Sequence, residues 1–437
     1  MNETTPIFLD EFLKLHAADL ADRLQRLDVE EARAVLRQLP ADKAAAALAE
    51  VEEENLPELL AAFDAEHLAG ILQRVPSEDA ADLLQQLSPV VRRDALSRLP
   101  GEIADGLRAL LRYPEDTAGG IMSNRFIALR EEMTVEEVRE LLRARAQEER
   151  TEDIAYLYVM NPEQRLVGIV SLRDLVFRRA ERRMSEILNR DVKFVRVTDD
   201  QEELARKFEH YHYLGLPVLE ADGRLVGVVK ASDALEVASQ EATEDMQLMV
   251  GLSGEEHALT PWQHAIKRRL PWLYINLATA FLAAFVVGLF EETIAQWTAL
   301  AIFLPIVAGQ GGNAGMQTLT VIIRDLALGK LAPGDGRRAL TKEIILGLLN
   351  GLAIGLVVGL IGWWWKGSLT LGLVAGVAML LNQLAAVVTG VLIPLGMKAL
   401  RLDPALASSI FLTTVTDVAG FFFFLGLATV GLKWLGV

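Results

Sequence analysis

The sequence contains no cysteine among its 437 residues. Disulfide bonds, thiolate metal sites and cysteine nucleophiles are therefore excluded. The sequence also lacks a Walker A sequence, the aspartyl-phosphate motif of ion-pumping ATPases and a His/Glu zinc pattern. Without these motifs, ATP-driven pumping and intramembrane metalloproteolysis have no candidate residues. We predict that the chain is not an enzyme.

Positive charge is scarce in the first part of the chain. Residues 1–265 hold 31 Lys and Arg against 52 Asp and Glu, whereas residues 266–437 hold 12 against 7. The N-terminus is polar and acidic and does not resemble a signal peptide, so we expect this half in the cytosol. An acidic half repels nucleic acid and the anionic inner leaflet and attracts cations. We therefore expect no nucleic-acid partner.

The first segment repeats with a period of 12 residues. One apolar register runs from Leu15 to Leu99 and a second runs from Leu24 to Leu96. Twelve residues make about three helical turns with their connection, which predicts a small α-solenoid within an N-terminal domain at 1–122. One long amphipathic helix is the alternative, and the prolines at 40, 57, 76, 89 and 100 argue against it.

A second repeat, with a mixed α/β pattern, occupies residues 123–240. Residues 165–174 match residues 224–233 at an offset of 59. Each copy reads as a strand, a polar turn, a second strand and a helix, and a strand and helix precede it. This resembles a tandem pair of CBS domains, which often bind adenine nucleotides or metal ions. The repeat does not identify the ligand, because Asp174 and Asp233 fit helix caps as well as ribose contacts.

Residues 241–265 are predicted to form an acidic connector helix. A charged helix between a soluble sensor and a membrane domain is suited to a mechanical link, although a merely solvated linker gives the same pattern. Five apolar runs follow in residues 266–437, each long enough for a transmembrane helix: 270–290, 295–323, 344–365, 368–396 and 404–432. Lysines and arginines favour one set of loops by ten to two. This places the N-terminal half in the cytoplasm and the C-terminus outside a plasma membrane.

Two polar features stand out inside these apolar runs. Residues 304–317 combine a proline, four glycines, an asparagine and two glutamines, and Asp417 is the only charge between Pro404 and Leu432. Small residues alone also fit a tight helix-packing seam, and Asp417 also fits a buried structural acid. An ionisable residue at this depth is nevertheless a functional-site hypothesis by default. Thr413 and Gly420 lie about one turn from Asp417, and this set of oxygen donors suits Mg²⁺, Ca²⁺ or Mn²⁺.

Three motifs together resemble the MgtE family of magnesium transporters and channels: residues 113–119, residues 305–317 and residues 416–420. The order of solenoid, CBS pair, acidic connector and five spans agrees with this resemblance. It implies a homodimer in the lipid bilayer, whose second and fifth membrane helices line a Mg²⁺ pore. Asp417 would hold the ion, with the backbone around Thr413 and Gly420 and a bend at Gly312 and Asn313 contributing.

The resemblance also implies a cytosolic Mg²⁺ sensor. Its matching or candidate residues are, on the connector, Glu241, Glu244 and Asp245; on the solenoid, Asp79 and Asp82; and elsewhere Asp199, Asp233 and Asp403. Divalent cations that bridge such acids would cancel their repulsion and compact the soluble half. High cytosolic Mg²⁺ would then close the pore, and ATP bound to the CBS pair would shift the same equilibrium.

The leading hypothesis is therefore a Mg²⁺-selective channel or transporter gated by cytosolic Mg²⁺. A Na⁺- or H⁺-coupled divalent cation transporter is one alternative, although no inverted repeat is visible. A membrane-embedded CBS sensor without transport is another, but it leaves Asp417 without a purpose. The sequence leaves open the choice among Mg²⁺, Mn²⁺, Co²⁺ and Ca²⁺.

Overall fold

The computed structural model describes residues 9–51, 55–61, 63–148, 155–252, 256–258, 260–332, 334–406 and 408–435. The chain divides into two compact units, Met1–Ala238 and Ser239–Val437. The first unit combines short helices with two small sheets, and the second is helical.

Short helices fill the described part of residues 9–110. Their bounds are α1 Leu9–Phe12, α2 Ala17–Gln25, α3 Val29–Gln38, α4 Ala41–Ala49, α5 Leu56–Leu60, α6 Ala65–Leu72, α7 Ser77–Gln85, α8 Pro89–Arg98 and α9 Gly101–Leu110. Pro40, Pro76 and Pro100 stand at the N-caps of α4, α7 and α9, where a missing N–H costs no helical hydrogen bond. The predicted solenoid of short helices is confirmed.

The two 12-residue registers form the core of these helices. The leucines of the register from Leu24 to Leu96 are all buried, and the register from Leu15 to Leu99 is buried or packs against that core. Burying such leucines is worth roughly 2 kcal/mol each, so the repeat is held together by its own hydrophobic seam.

The predicted CBS pair is present as two three-stranded sheets. The first contains β1 Ala128–Arg130, β2 Tyr156–Met160 and β3 Leu166–Ser171, and the second contains β4 Val195–Arg196, β5 Gly215–Leu219 and β6 Leu225–Lys230. In each sheet the first two strands are parallel and the last two antiparallel. The helices are α10 Val135–Glu148, α11 Leu172–Phe177, α12 Met184–Ile187 and α13 Gln201–Tyr211.

The turn-rich junction at residues 113–122 joins the solenoid helices to the second sheet. Gly119 N donates to Val197 O at 3.0 Å, and Ser123 pairs with Val228. A Cβ on Gly120 would lie 2.3 Å from the carbonyl oxygen of Pro114, so only glycine fits there. This motif is therefore structural: it docks the helical repeat onto the second CBS copy.

The connector helix differs from its prediction at both ends. Helix α14 spans Ala231–Met249, so it begins before residue 241 and does not continue to 265. Gly251 follows it with a left-handed φ of 79°, and Pro261 is the N-cap of the next helix. A left-handed glycine and a proline are common helix boundaries, which explains the correction.

Long helices form the rest of the second unit: α15 Trp262–Gly288, α17 Leu300–Ala327, α18 Gly336–Lys366, α19 Leu369–Ala399 and α20 Ser408–Leu435, with a short α16 at Glu291–Gln296. Within the described ranges, α15, α18, α19 and α20 are long and apolar enough to cross a membrane. Helix α17 is more polar but has 28 residues, about 42 Å at 1.5 Å per residue. With α17 as the fifth, these helices make up the predicted five-helix membrane domain.

Helix α17 contains the whole of residues 304–317. Its backbone is helical from Leu300 to Ala327 without interruption, so the bend predicted at Gly312 and Asn313 falls inside a continuous helix. Glycines and an inside proline are tolerated in membrane helices where neighbouring helices support the backbone, and α17 packs against both α19 and α20. Gly311 and Gly315 serve that close packing, because a Cβ on either would lie within 3 Å of a side chain of a neighbouring helix.

Candidate functional site

The two polar stretches, on α17 and α20, lie against each other. A Cβ on Gly312 of α17 would be 4.0 Å from Thr413 Cγ2 of α20, and a Cβ on Gly315 would be 2.7 Å from Leu412 Cδ1. At the other end, a Cβ on Gly420 would be 3.2 Å from Val307 Cγ1. Glycines on both helices therefore let the two backbones approach closely.

Asp417 lies between Thr413 and Gly420 on one face of α20. These three positions are four and three residues apart, which places them on the same side of the helix. The Asp417 side chain is half-buried. Its carboxylate places a negative charge where α17 and α20 pack together.

Three threonine hydroxyls close to Asp417 donate to the backbone of their own helix, α20. Thr413 Oγ1 donates to Ser409 O at 2.9 Å, Thr414 Oγ1 donates to Ile410 O at 2.6 Å, and Thr416 Oγ1 donates to Thr413 O at 3.1 Å. A hydroxyl that donates its proton keeps its lone pairs for an acceptor role. The half-buried Thr413 and Thr414 hydroxyls remain suited to accept hydrogen bonds from the water of a hydrated cation, whereas Thr416 is 0% exposed.

Asn313 and Gln317 are exposed on the opposite side of α17 from its buried residues. They are four residues apart and Gly309 lies a further turn away, so the three positions form one polar stripe on the helix. Within the described ranges, the other helices of this chain leave the stripe uncovered. Uncovered amides at membrane depth need water or another protein surface.

Gly420 has a packing role that the sequence did not indicate. A Cβ there would lie 2.7 Å from Asn382 Nδ2, and one on Gly311 would lie 2.2 Å from the same atom. Asn382, from α19, therefore fills the space between the two glycines. Asn382 and its neighbour Gln383 are buried polar residues that sequence reasoning missed.

A second carboxylate in the helical unit was also missed. Glu343, near the start of α18, is 5% exposed, and Thr318 on α17 is 4% exposed. Thr318 Oγ1 donates to Glu343 Oε2 at 2.8 Å, while Lys342 Nζ lies 2.9 Å from Glu343 Oε1. In sequence, Glu343 reads as one of several loop charges, and nothing in the pattern indicates its burial against α17.

The soluble unit gathers several acidic side chains around Lys230. Its Nζ lies 2.9 Å from Glu78 Oε1, and Glu78 is buried. Burial opposes the ionisation of Glu78, but the charge and hydrogen bond of Lys230 outweigh it, so the pKa of Glu78 lies below its usual value. Glu78 and Lys230 are therefore a buried ion pair, and neither was among the predicted residues.

Asp79 is the most perturbed acid of this group. Burial, together with the charges of Glu78 and Asp82, raises the pKa of Asp79 to about 8, despite the opposing charge of Lys230. Burial also raises the pKa of Asp233, whose carboxylate accepts from Lys230 N at 3.2 Å and from Ser232 Oγ at 2.8 Å. Asp79, Asp82 and Asp233 are thus brought together around one lysine, and negative charge is in excess there.

The other predicted sensor acids are placed as follows. Asp199 accepts from Arg196 N at 3.1 Å and pairs with Lys207 at 3.2 Å. Asp403 accepts from Ala405 N at 2.7 Å in the turn before α20. Glu241, Glu244 and Asp245 lie half-buried on α14. Across the described ranges, no three His, Cys, Asp or Glu side chains stand close enough together to hold a metal ion, so these acids do not form a ready-made ligand set.

These features together define a multi-pass membrane protein of the cation-transport class with a helical-repeat and CBS-domain soluble half. Family models agree. "MgtE intracellular N domain" matches residues 15–116, "CBS domain" matches 118–181 and 184–240, and "Divalent cation transporter" matches 304–427.

The magnesium transporter MgtE of Thermus thermophilus is 39% identical over 329 residues, 74% of this chain and 71% of that protein. That of Enterococcus faecalis is 34% identical over 76% of this chain and 73% of that protein. The chain belongs to the MgtE family. Among solved structures, the cytosolic domain of the Mg²⁺ channel MgtE in complex with ATP is 38% identical, with a TM-score of 0.49, over 52% of this chain and 92% of that one.

Proposed function

We propose that the protein carries Mg²⁺ across the membrane along a path between two copies of the chain, lined by α17 and α20. The observation that supports this most strongly is the uncovered polar stripe of Gly309, Asn313 and Gln317 on α17. Helix α17 also packs against the face of α20 that carries Asp417. Polar groups at this depth require water or a partner, and a twofold axis along the stripe supplies both.

The chemistry of the path suits a hydrated divalent cation. Mg²⁺ prefers oxygen ligands and sheds its water reluctantly. Two copies would contribute two Asp417 carboxylates, which together balance its charge. The amide oxygens of Asn313 and Gln317 and the hydroxyl lone pairs of Thr413 accept hydrogen bonds from its bound water. The names of the bacterial relatives, all magnesium transporters, favour Mg²⁺ over other divalent ions as the substrate.

Cytosolic Mg²⁺ would regulate this path through the acids of the soluble half. The negative charges of Asp82 and Asp233 oppose the ionisation of Asp79. A divalent cation that binds the ionised acids stabilises whichever arrangement holds them closest. Helix α14 begins beside Asp233 and carries Glu241, Glu244 and Asp245, so a rearrangement of these acids is transmitted along a continuous helix. We expect high cytosolic Mg²⁺ to close the path.

ATP is the second regulatory ligand of the proposal. The second CBS copy has a cavity of about 270 Å³ lined by Val192, Lys193, Phe194, Lys207, Tyr211 and Leu216. Aromatic rings can stack on an adenine base, and lysines bind phosphate. This lining fits an adenine nucleotide. Lys207 also pairs with Asp199, one of the candidate sensor acids. A bound phosphate would therefore compete with Asp199 for Lys207.

The proposed location is the plasma membrane, with the N-terminal half in the cytoplasm. Five crossings by α15, α17, α18, α19 and α20 then put the C-terminus outside. The arginines and lysines of the loops support this orientation, because positively charged loops stay in the cytoplasm.

Single-cysteine cross-linking tests the path between two copies, and the absence of native cysteines makes the assay clean. In membranes, we expect Asn313→Cys to form an oxidised dimer and to lose Mg²⁺ flux when cross-linked. The matched control is Leu356→Cys on α18, which is 65% exposed and is placed in lipid by the proposal. Cross-linking at Leu356 but not at Asn313 would contradict the path.

A further inference from the structure

Asn382 is a buried amide in the middle of an apolar membrane helix. It lies on α19 and is 0% exposed. Its side chain fills the gap between Gly311 of α17 and Gly420 of α20, because a Cβ on either glycine would lie within 3 Å of Nδ2. The two helices of the proposed ion path therefore meet across one side chain of a third helix.

The side-chain amide of Asn382 has donors and an acceptor, but in the part of the chain that the structure describes it makes one hydrogen bond. Its Nδ2 donates to Val307 O on α17 at 2.9 Å. Its Oδ1 has no hydrogen-bond partner among the described residues. The neighbouring Gln383 repeats the pattern: Nε2 donates to Gln310 O at 3.4 Å and Oε1 has no partner within the same residues. Both amides thus hold carbonyls of the same turn of α17.

Packing alone does not account for an amide at this position. A buried acceptor without a partner is unfavourable, and replacing it with an apolar group of the same shape is often neutral or stabilising. Leucine has the branching of asparagine and would fill the gap without an unpaired oxygen. Leucine cannot, however, make a directional contact with the Val307 carbonyl. What asparagine adds over leucine is therefore a hydrogen bond that fixes the position of α17.

We propose that Asn382 is a positioning residue for ion passage, which rests on the proposed function above. Leu412 beside Gly315 and Val307 beside Gly420 fill the glycine faces with van der Waals contacts, which are less directional than a hydrogen bond. The hydrogen bond from Asn382 to Val307 sets the axial position of α17 at the level of Gly420. Gly420 lies three residues after Asp417, so the same contact sets which groups of α17 stand opposite the carboxylate.

The shape-matched variant Asn382→Leu tests this role. Full-length protein is reconstituted into liposomes, and Mg²⁺ influx is followed with an internal Mg²⁺ dye, alongside the melting temperature and elution volume in detergent. We expect an unchanged or higher melting temperature and at least a tenfold lower maximal flux. A residue that only fills space predicts flux within twofold of the unsubstituted protein, and that result would overturn the proposal.

A second variant serves if Asn382→Leu does not fold. Asn382→Ser keeps a small polar side chain, but its hydroxyl is one bond too short to reach Val307 O, so Mg²⁺ flux should fall at least tenfold. The control is Gly396→Ala, where an added Cβ meets nothing within 4 Å. Flux within twofold of the unsubstituted protein in Asn382→Ser contradicts the role of Asn382. Absence of Mg²⁺ flux in the unsubstituted protein refutes the proposed function instead.

Discussion

Replacing Asp79 with asparagine should stabilise the Mg²⁺-free protein at neutral pH. Burial and the negative charges of Glu78 and Asp82 raise the pKa of Asp79 to about 8. A carboxyl with a raised folded-state pKa favours its neutral form, so the unfolded state loses its proton first as the pH rises. Folded-state stability therefore falls as the pH rises from about 4 towards 8. The asparagine side chain would resemble the neutral acid at every pH and would avoid this loss.

The size of the effect follows from the shift in the pKa of Asp79. Each unit of pKa corresponds to about 1.4 kcal/mol, so the rise from 3.8 to about 8 gives an upper limit of about 6 kcal/mol above pH 8. Local relaxation reduces this, so we expect a few kcal/mol at pH 7.5. For a unit of this size, 1 kcal/mol moves the melting temperature by roughly 2–4 °C. Asp79→Asn should therefore melt on the order of 5 °C higher without Mg²⁺.

The assay is thermal melting of the full-length protein in detergent between pH 5.5 and 8, with and without millimolar Mg²⁺. The unsubstituted protein should gain stability as the pH falls or as Mg²⁺ is added, and Asp79→Asn should respond less to both. The matched control is Asp22→Asn on α2, where the carboxyl is exposed. If Asp79→Asn and Asp22→Asn melt alike at every pH, the charge crowding around Asp79 is refuted.

Two further predictions concern the same soluble half. Lys230→Met removes the partner of buried Glu78 and should cost about 3–5 kcal/mol, as expected when one member of a buried ion pair is lost; a melting temperature within 2 °C of the parent would contradict this. Glu244→Ala combined with Asp245→Ala should leave Mg²⁺ flux high at millimolar cytosolic Mg²⁺; normal closure in patch-clamp or liposome assays would assign the sensor to other acids.

The parts of the fold that the sequence predicted were those with a periodic pattern. The 12-residue registers from Leu15 and Leu24 predicted the helical repeat because each position returns to the same buried seam. The 59-residue offset between Asp174 and Asp233 predicted two copies of one α/β unit. Both acids lie at the starts of helices. Asp174 N donates to Ser171 Oγ, and Lys230 N donates to the Asp233 carboxylate. A repeat in the sequence cannot distinguish such a helix-capping role from ligand binding.

The candidate site was predicted less completely, for physical reasons that the site residues illustrate. Asp417 was visible because it is a charge within an apolar run. Asn382 and Gln383 were not visible in this way, because the α17 carbonyls to which they donate are more than 70 positions away in the sequence. The pairing of Lys230 with Glu78 likewise joins residues 152 positions apart. The predicted bend at Gly312 and Asn313 lies within a continuous helix, α17, which packs against α19 and α20.

The most direct test of the central claim is Mg²⁺ influx into proteoliposomes that contain Asp417→Asn, measured with no Na⁺ or H⁺ gradient. The matched control is Asp335→Asn, in the turn before α18, where the carboxylate accepts from Ala332 N at 3.1 Å. We predict that the unsubstituted protein and the control transport Mg²⁺ down its own gradient and that Asp417→Asn, although folded, transports at least tenfold less. Undiminished Mg²⁺ influx through Asp417→Asn would contradict an ion path past this carboxylate.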